Sequence, residues 1–137
     1  MTFTWKVFKL YFVEKAVIIV TDEAESTGKM AEAIAAELKN FKIVSVTAKD
    51  FSGTDLLAAS IIFFGAERND PPSFTYLNKM LQHINLAGRS CGIFSPSKQA
   101  AEYLCGMVRD SEITVYPDLF LGEGDIKTWV KKVTTAL

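Results

Sequence analysis

The loop from Thr21 to Thr27 holds the polar side chains that are best placed in this sequence to bind a ligand. It follows an apolar run at 15–20, and a helical pattern begins at Gly28 directly after it. In α/β proteins the turn from a strand into a helix is a common seat for phosphate, because the first backbone N–H groups of the helix are unpaired. The position of this loop therefore predicts a phosphate site.

The composition of the same loop argues against that site. Asp22, Glu23 and Glu25 supply three carboxylates, and Ser26 with Thr27 supplies one pair of adjacent hydroxyls. A carboxylate donates no hydrogen bond when it is ionised. It also repels a phosphate charge about 4 Å away by about 4 kcal/mol at an effective dielectric constant near 20, whereas a helix N-terminus contributes only about 0.3–1 kcal/mol. A carboxylate that points inward would prevent binding and one that points outward would be harmless, and the sequence leaves both open.

Apolar runs alternate with helical periodicity along the chain, which predicts an α/β fold. Strands are expected at 16–21, 42–47, 60–65, 90–95 and 113–121, and helices at 27–39, 73–84, 98–109 and 125–135. Several strands are apolar throughout, as strands covered on both faces are. Right-handed crossovers between them produce a five-stranded parallel sheet in a three-layer sandwich. The link at 48–59 has room for only one helical turn.

Three positions near helix ends have expected structural roles. Trp129 lies on the apolar face of the last predicted helix, which indicates a core position rather than a ligand platform. Asp125 is placed to cap the same helix, and Ser97 to cap the helix at 98–109.

The composition fits one soluble globular domain. The chain has 137 residues, 49% hydrophobic and 23% charged, with a formal net charge of −1. No basic excess marks a nucleic-acid-binding face, so we expect no nucleic acid as partner.

Cys91 and Cys105 are too few for a disulfide framework, and we expect both to be small buried hydrophobes. No apolar run spans a bilayer and no signal peptide is evident, so we expect no membrane span and a cytoplasmic location.

Residues 1–14 differ in pattern from the rest of the chain. Positions 2–7 alternate with a period of two, and positions 8–13 are almost wholly apolar. We expect an N-terminal arm or an extra edge strand at 1–14, followed by one domain at 15–137. The apolar content also allows this arm to form a homodimer or to dock a partner.

The order and spacing of several fragments resemble flavodoxins. The matching segments are 15–20 with 31–34, 55–65, 71–72 with the helix that ends at 80–81, and 88–95. The resemblance extends over residues 15–136, and the fragments are also similar to the flavodoxin-like domains of diiron flavoproteins. It implies the strand order 2-1-3-4-5, with FMN bound beyond the carboxyl ends of the strands at the point where the order reverses.

The resemblance also implies a function. It implies FMN-binding electron transfer with a redox partner protein, the flavin supplying the redox chemistry. It places cofactor-binding residues in three loops: Thr21, Asp22, Ser26, Thr27, Gly65, Ala66, Arg68, Asn69, Ser95 and Ser97.

All three loops depart from the flavodoxin pattern. In the ungapped register, residues 22–25 stand where a serine, two threonines and a glycine are expected, and only Thr27 matches. The second loop, 65–72, lacks the expected aromatic residue, and the third, 95–99, lacks both an aromatic residue and glycines. A second hypothesis is therefore a flavodoxin-like interaction or structural module that binds no flavin.

A further resemblance is to the acidic start of response-regulator receiver domains, at 17–23. Receivers need a phosphoacceptor aspartate after the third strand, where Gly65 stands, and a lysine after the fifth strand, where none is present. A Mg²⁺ site built from Asp22, Glu23 and Glu67 is geometrically possible, since Mg²⁺ prefers oxygen ligands. No nucleophile–base pair or metal motif is visible, so we expect no independent catalytic site.

Overall fold

The computed structural model describes residues 15–135. Its strands are β1 (Lys15–Thr21), β2 (Phe41–Thr47), β3 (Ile61–Gly65), β4 (Ser90–Phe94) and β5 (Thr114–Val115). Its helices are α1 (Glu25–Ala36), α2 (Gly53–Ala58), α3 (Thr75–Leu81), α4 (Lys98–Val108) and α5 (Ile126–Thr135). Short 3₁₀ turns at Pro72–Phe74 and Arg109–Ser111 precede α3 and follow α4.

The five strands form one parallel sheet in the order β2-β1-β3-β4-β5, as predicted. Side chains alternate between its two faces because the side-chain period of a strand is two. One face packs against α2, α3 and α4, through Ile18, Ile62, Phe64, Leu56, Leu77 and Leu104. The other face packs against α1 and α5, through Val17, Ile19, Phe63, Ile34, Trp129 and Val130. The three-layer sandwich is therefore confirmed.

The prediction for the fifth strand was wrong in its extent. The segment 113–121 pairs continuously with β4 only over Thr114–Val115, and it returns to the sheet at an isolated bridge between Phe120 and Phe94. Pro117 lies between these two contacts and has no backbone N–H to donate. The strand consequently leaves the sheet at the proline and rejoins it beside the carboxyl end of β4.

The predicted helices are confirmed, with shifted ends. The helix expected at 27–39 begins at Glu25 and ends at Ala36, and the one expected at 73–84 is a 3₁₀ turn followed by α3. The link at 48–59 contains the short helix α2, in place of a full crossover helix. Such differences arise because helix ends depend on local caps more than on periodicity.

The structure bears out the three positions near helix ends. Trp129 is buried in the core between the sheet and α5. The Asp125 carboxylate accepts hydrogen bonds from the Lys127 N–H at 3.1 Å and the Thr128 hydroxyl at 2.6 Å. Ser97 caps α4, because its hydroxyl oxygen accepts the Ala100 N–H at 3.3 Å.

The two cysteines differ in environment. Cys91 is buried in β4, and burial raises the pKa of its thiol far above the usual range. Cys105 lies on α4 and is only partly buried, so the expectation of two buried cysteines holds for Cys91 alone. Burial, and then the nearby Glu102 carboxylate, raise the pKa of the Cys105 thiol as well. Neither thiol is activated as a nucleophile, since reactive cysteines need a lowered pKa.

The predicted N-terminal arm, residues 1–14, lies outside the described residues. The homodimer and partner-docking hypotheses for that arm therefore remain predictions. Among the helices of residues 15–135, none has the length and apolar character needed to cross a membrane.

Candidate functional site

The side chain of Asp22, directly after β1, points into the protein. Only 6% of its surface is exposed. Its Oδ2 accepts the backbone N–H of Glu67 at 2.7 Å. Its Oδ1 accepts the hydroxyl of the fully buried Thr27, together with a longer bond from the Ala24 N–H at 3.4 Å. The sequence left the direction of this carboxylate open, and the structure places it inward.

The other two carboxylates of the loop point to solvent. Glu23 and Glu25 are both exposed. Glu25, in the first turn of α1, forms an ion pair with Lys29 at 3.3 Å, and both side chains are largely exposed. An exposed pair of this spacing contributes little to stability. Of the three acidic residues, Asp22 is therefore the one whose carboxylate is buried and hydrogen-bonded inside the loop.

Two further contacts join the β1–α1 loop to the β3–α3 loop. The Ser26 hydroxyl donates to the Glu67 carboxylate at 2.6 Å, and the Asp22 N–H donates to the Gly65 carbonyl at 3.2 Å. Together with the bond from the Glu67 N–H to Asp22, they hold the two loops against each other. Both hydroxyls of the Ser26–Thr27 pair are hydrogen-bonded to carboxylates of the protein.

A cleft of about 450 Å³ opens at the carboxyl ends of β1 and β3. Its walls come from residues 22–24 of the first loop and from Glu67, Arg68 and the segment 71–73 of the second. The charged side chains along it are three carboxylates and one guanidinium. No aromatic side chain lines it, and neither does any residue of the β4–α4 loop.

Gly65, the last residue of β3, makes room for a side chain of the protein. A Cβ atom on Gly65 would lie 2.2 Å from Cε2 of the Phe94 ring, which is fully buried. Gly65 and Phe94 are register partners on β3 and β4, so the ring lies across the glycine on the face covered by α1 and α5. The absence of a side chain at Gly65 therefore leaves room for the Phe94 ring in the core.

The rest of the second loop is exposed and is anchored at one further point. Arg68 and Asn69 are exposed. Asp70 adopts a left-handed backbone conformation with φ of 46°. Its carboxylate lies 3.4 Å from the Tyr103 hydroxyl on α4. Burial, and then the Asp70 carboxylate, raise the pKa of Tyr103 to about 12.

The third loop turns directly from β4 into α4. Ser95 is fully buried, and its hydroxyl oxygen accepts the Ser97 N–H at 3.0 Å. Ser97 in turn caps α4. Both serines are thus used to form the turn.

The ten predicted cofactor residues differ in their contacts and in their burial. Asp22 and Ser26 of the first loop contact the second loop, Thr27 donates to Asp22, and Arg68 lines the cleft between the two loops. Six of the ten are buried, namely Thr21, Asp22, Thr27, Gly65, Ala66 and Ser95. The loop-joining contact of Glu67 and the packing of Phe94 were missed, and only the acidic character of Glu67 gave a sequence signal.

Metal binding finds no support in the described part of the chain. Residues 15–135 contain no group of three or more histidine, cysteine, aspartate or glutamate side chains arranged to hold an ion. The Mg²⁺ hypothesis for Asp22, Glu23 and Glu67 therefore fails on geometry.

FMN is the cofactor that the resemblance implies, and the first loop does not fit its phosphate. The loop hydroxyls and the Ala24 and Glu67 N–H groups face protein carboxylates. A phosphate placed there would meet the buried Asp22 charge at close range, which costs several kcal/mol on the scale of about 4 kcal/mol per unit-charge pair at about 4 Å.

Comparisons with known proteins give a consistent fold. No protein-family model matches the sequence, and no curated protein matches it. Among solved structures, flavodoxin 2 from Bacillus cereus has a TM-score of 0.74 at 15% identity, over 90% of this chain and 99% of that one. A short-chain flavodoxin associated with a non-canonical PDU bacterial microcompartment has a TM-score of 0.71 at 16% identity, over 90% and 98% of the two chains.

A third similar structure is the Fusobacterium nucleatum flavodoxin bound to flavin mononucleotide. It has a TM-score of 0.69 at 11% identity, over 88% of this chain and 97% of that one. These sequence identities are too low to indicate a shared function, but the structural similarity extends over nearly the whole of each chain. Together with the observed strand order, they show that this chain adopts the flavodoxin-like fold.

Proposed function

We propose that this chain is a flavodoxin-like interaction module that works without a bound flavin. The observation that carries the proposal is the inward Asp22 carboxylate, which accepts three hydrogen bonds at the phosphate position of the fold. Folds host many functions, and function resides in the site rather than in the fold. A fold kept with an altered site is consistent with a role in binding other proteins.

The other two loops support the same proposal. The resemblance implies that the second and third loops would hold the flavin ring, often with an aromatic residue. Here Ser95 and Ser97 form a tight turn, and the Phe94 ring is packed over Gly65. The cleft described above is acidic and lies between the first and second loops.

A second candidate function is FMN-dependent electron transfer with a redox partner protein. It is favoured by the shared fold, because a similar structure is that of a flavodoxin bound to flavin mononucleotide, and by a cleft at the same edge of the sheet. For this function the phosphate would have to bind outside the Asp22 contacts, and the cytoplasmic location expected from the sequence suits either candidate.

An absorbance spectrum distinguishes the two candidates. The freshly purified protein, incubated with excess FMN and desalted, is expected to show no visible flavin bands, because Asp22 disfavours the phosphate. The Bacillus cereus or Fusobacterium nucleatum flavodoxin, stripped and treated identically, is the positive control. Stoichiometric yellow flavin retained by this chain would overturn the flavin-free proposal and leave electron transfer as the working function.

The interaction role has its own test in the N-terminal segment. We propose that residues 1–14 carry a homodimer contact, since they contain the apolar side chains Trp5, Phe8 and Phe12. Light scattering after gel filtration is expected to give about twice the monomer mass of 15.2 kDa. The double variant Phe8→Ser with Phe12→Ser should be monomeric, and Leu57→Ser, at an exposed apolar position on α2, should stay dimeric. A monomeric wild type would remove the homodimer proposal.

A further inference from the structure

We infer that the phosphate position of this fold is intact as an anion site and is occupied by the chain's own Asp22 carboxylate. The inference rests on the proposed flavin-free function and gives a structural reason for the absence of flavin binding. The hydrogen-bond donors of this site are still present, and the Asp22 carboxylate accepts their hydrogen bonds. Removal of that anion is then expected to create a binding site for inorganic phosphate.

The donors around Asp22 are of the kind that binds phosphate. They are two backbone N–H groups, of Ala24 and Glu67, and one buried hydroxyl, of Thr27. Backbone amides and hydroxyls converging near the start of a helix form the usual protein site for an oxyanion. They come from the loop after β1, the first turn of α1 and the loop after β3, which are separate segments of the chain.

The position of Asp22 explains why an external anion cannot compete. The carboxylate is covalently attached to the loop, so its local concentration at the donors is far above that of any free phosphate. It is also buried, and a second anion beside it would add repulsion in a poorly screened environment. Glu23 is the next residue and points to solvent, so it carries the same charge without occupying the donors.

This arrangement also stabilises the site. The Asp22 carboxylate joins the first loop to the backbone of Glu67, and the Ser26 hydroxyl reinforces the link through the Glu67 side chain. When Asp22 is shortened to serine, three donors lose their acceptor, so the variant should be less stable than wild type. A bound phosphate would then restore the missing acceptor, and stability becomes a readout of binding.

The test is thermal unfolding of Asp22→Ser with inorganic phosphate as probe. Phosphate is compared with chloride at equal ionic strength, for wild type, Asp22→Ser and the control Glu23→Ser, which removes the same charge at the solvent-facing position. We take a dissociation constant for phosphate of about 1 mM and a phosphate concentration about ten times higher. Under these conditions the Tm of Asp22→Ser is expected to rise by about 5 °C. Wild type and Glu23→Ser should show no phosphate-specific rise.

Each outcome decides the inference. A rise confined to Asp22→Ser supports an anion site that Asp22 occupies, and an equal rise in Glu23→Ser overturns it in favour of a general charge effect. If Asp22→Ser does not fold, Asp22→Asn keeps the side-chain shape and one acceptor oxygen and should show a smaller rise. No phosphate-specific rise in any folded Asp22 variant overturns the inference.

The proposed function can fail independently. Flavin retained by the wild-type chain contradicts the flavin-free role, whatever the Asp22 variants do. Flavin fluorescence with FMN and with riboflavin, which lacks the phosphate, adds a second readout for Asp22→Ser. A gain in affinity for FMN but not for riboflavin supports the anion site, and an equal gain for both contradicts it.

Discussion

Replacement of Trp129 by alanine is expected to lower the free energy of unfolding by about 3–5 kcal/mol. The Trp129 side chain is 7% exposed and lies on the face of α5 that meets the sheet. Its ring packs edge-on against Phe63 at a centroid distance of 5.6 Å and tilted against Phe120 at 5.3 Å. Urea unfolding followed by far-UV circular dichroism measures the loss, since a native domain has only about 5–15 kcal/mol in total.

The matched variant Trp129→Phe separates packing from hydrogen bonding. It keeps an aromatic ring but loses the bond from the indole N–H to the Asp118 carbonyl, which is 2.8 Å long. A hydrogen bond of this kind contributes about 0.5–1.5 kcal/mol, so the loss should be less than half of that for Trp129→Ala. Equal losses for the two variants would contradict the expectation that a packed aromatic ring at this position provides most of the stabilisation.

The sheet order could be predicted because its signals are local and redundant. The strands β1 and β3 consist mostly of apolar residues, and β1, β3 and β4 are each followed by a helical pattern. Parallel strands joined by helices have few allowed topologies, because the crossovers are right-handed. The position of Trp129 could be predicted for a similar reason, since several residues of α5 share one apolar face.

The fifth strand could not be predicted in full because its end depends on a tertiary contact. The apolar residues of the segment 113–121 favour a continuous strand, and Pro117 alone argues against it. The chain rejoins the sheet at Phe120 because the Phe120 carbonyl accepts the Ser95 N–H at 2.9 Å and its side chain enters the core beside Trp129. Neither contact can be inferred from local periodicity.

At the candidate site, the sequence located the loop but could not orient its side chains. The direction of Asp22 depends on the backbone N–H of Glu67, which lies 45 residues further along the chain. Adjacent side chains of a loop have no fixed period, so nothing local distinguishes Asp22 from Glu23. The structure resolves that ambiguity by placing the Asp22 carboxylate inward and Glu23 at the surface.

Gly65 has a packing role that the resemblance did not predict. The resemblance places Gly65 among the cofactor-binding residues. In this chain the glycine faces the Phe94 ring of the neighbouring strand. A glycine and a phenylalanine that are paired across two central strands fill one volume together, and the sequence reveals that pairing only after the register of β3 and β4 is known.

Replacement of Gly65 by alanine is accordingly expected to destabilise the protein by about 1–3 kcal/mol, the usual range for overpacking a dense core. The new Cβ would lie 2.2 Å from the Phe94 ring, which is fully buried, so either the ring or the backbone of β3 must shift. Because the Gly65 carbonyl also accepts the Asp22 N–H at 3.2 Å, a shift of β3 would disturb the loop that carries Asp22. Urea unfolding followed by circular dichroism gives the free energy.

Gly28→Ala is the matched control for Gly65→Ala, because both changes add one methyl group. Gly28 lies in α1, and a Cβ atom added to it would have no neighbouring atom within 4 Å, so alanine should stabilise the helix by about 0.5–1 kcal/mol. The two substitutions are thus expected to change the free energy of unfolding in opposite directions.

Combining Gly65→Ala with Phe94→Leu, which removes the clashing ring atoms, should make the two changes non-additive, with part of the Gly65→Ala cost recovered. Strict additivity would mean that the Phe94 contact is not the cause.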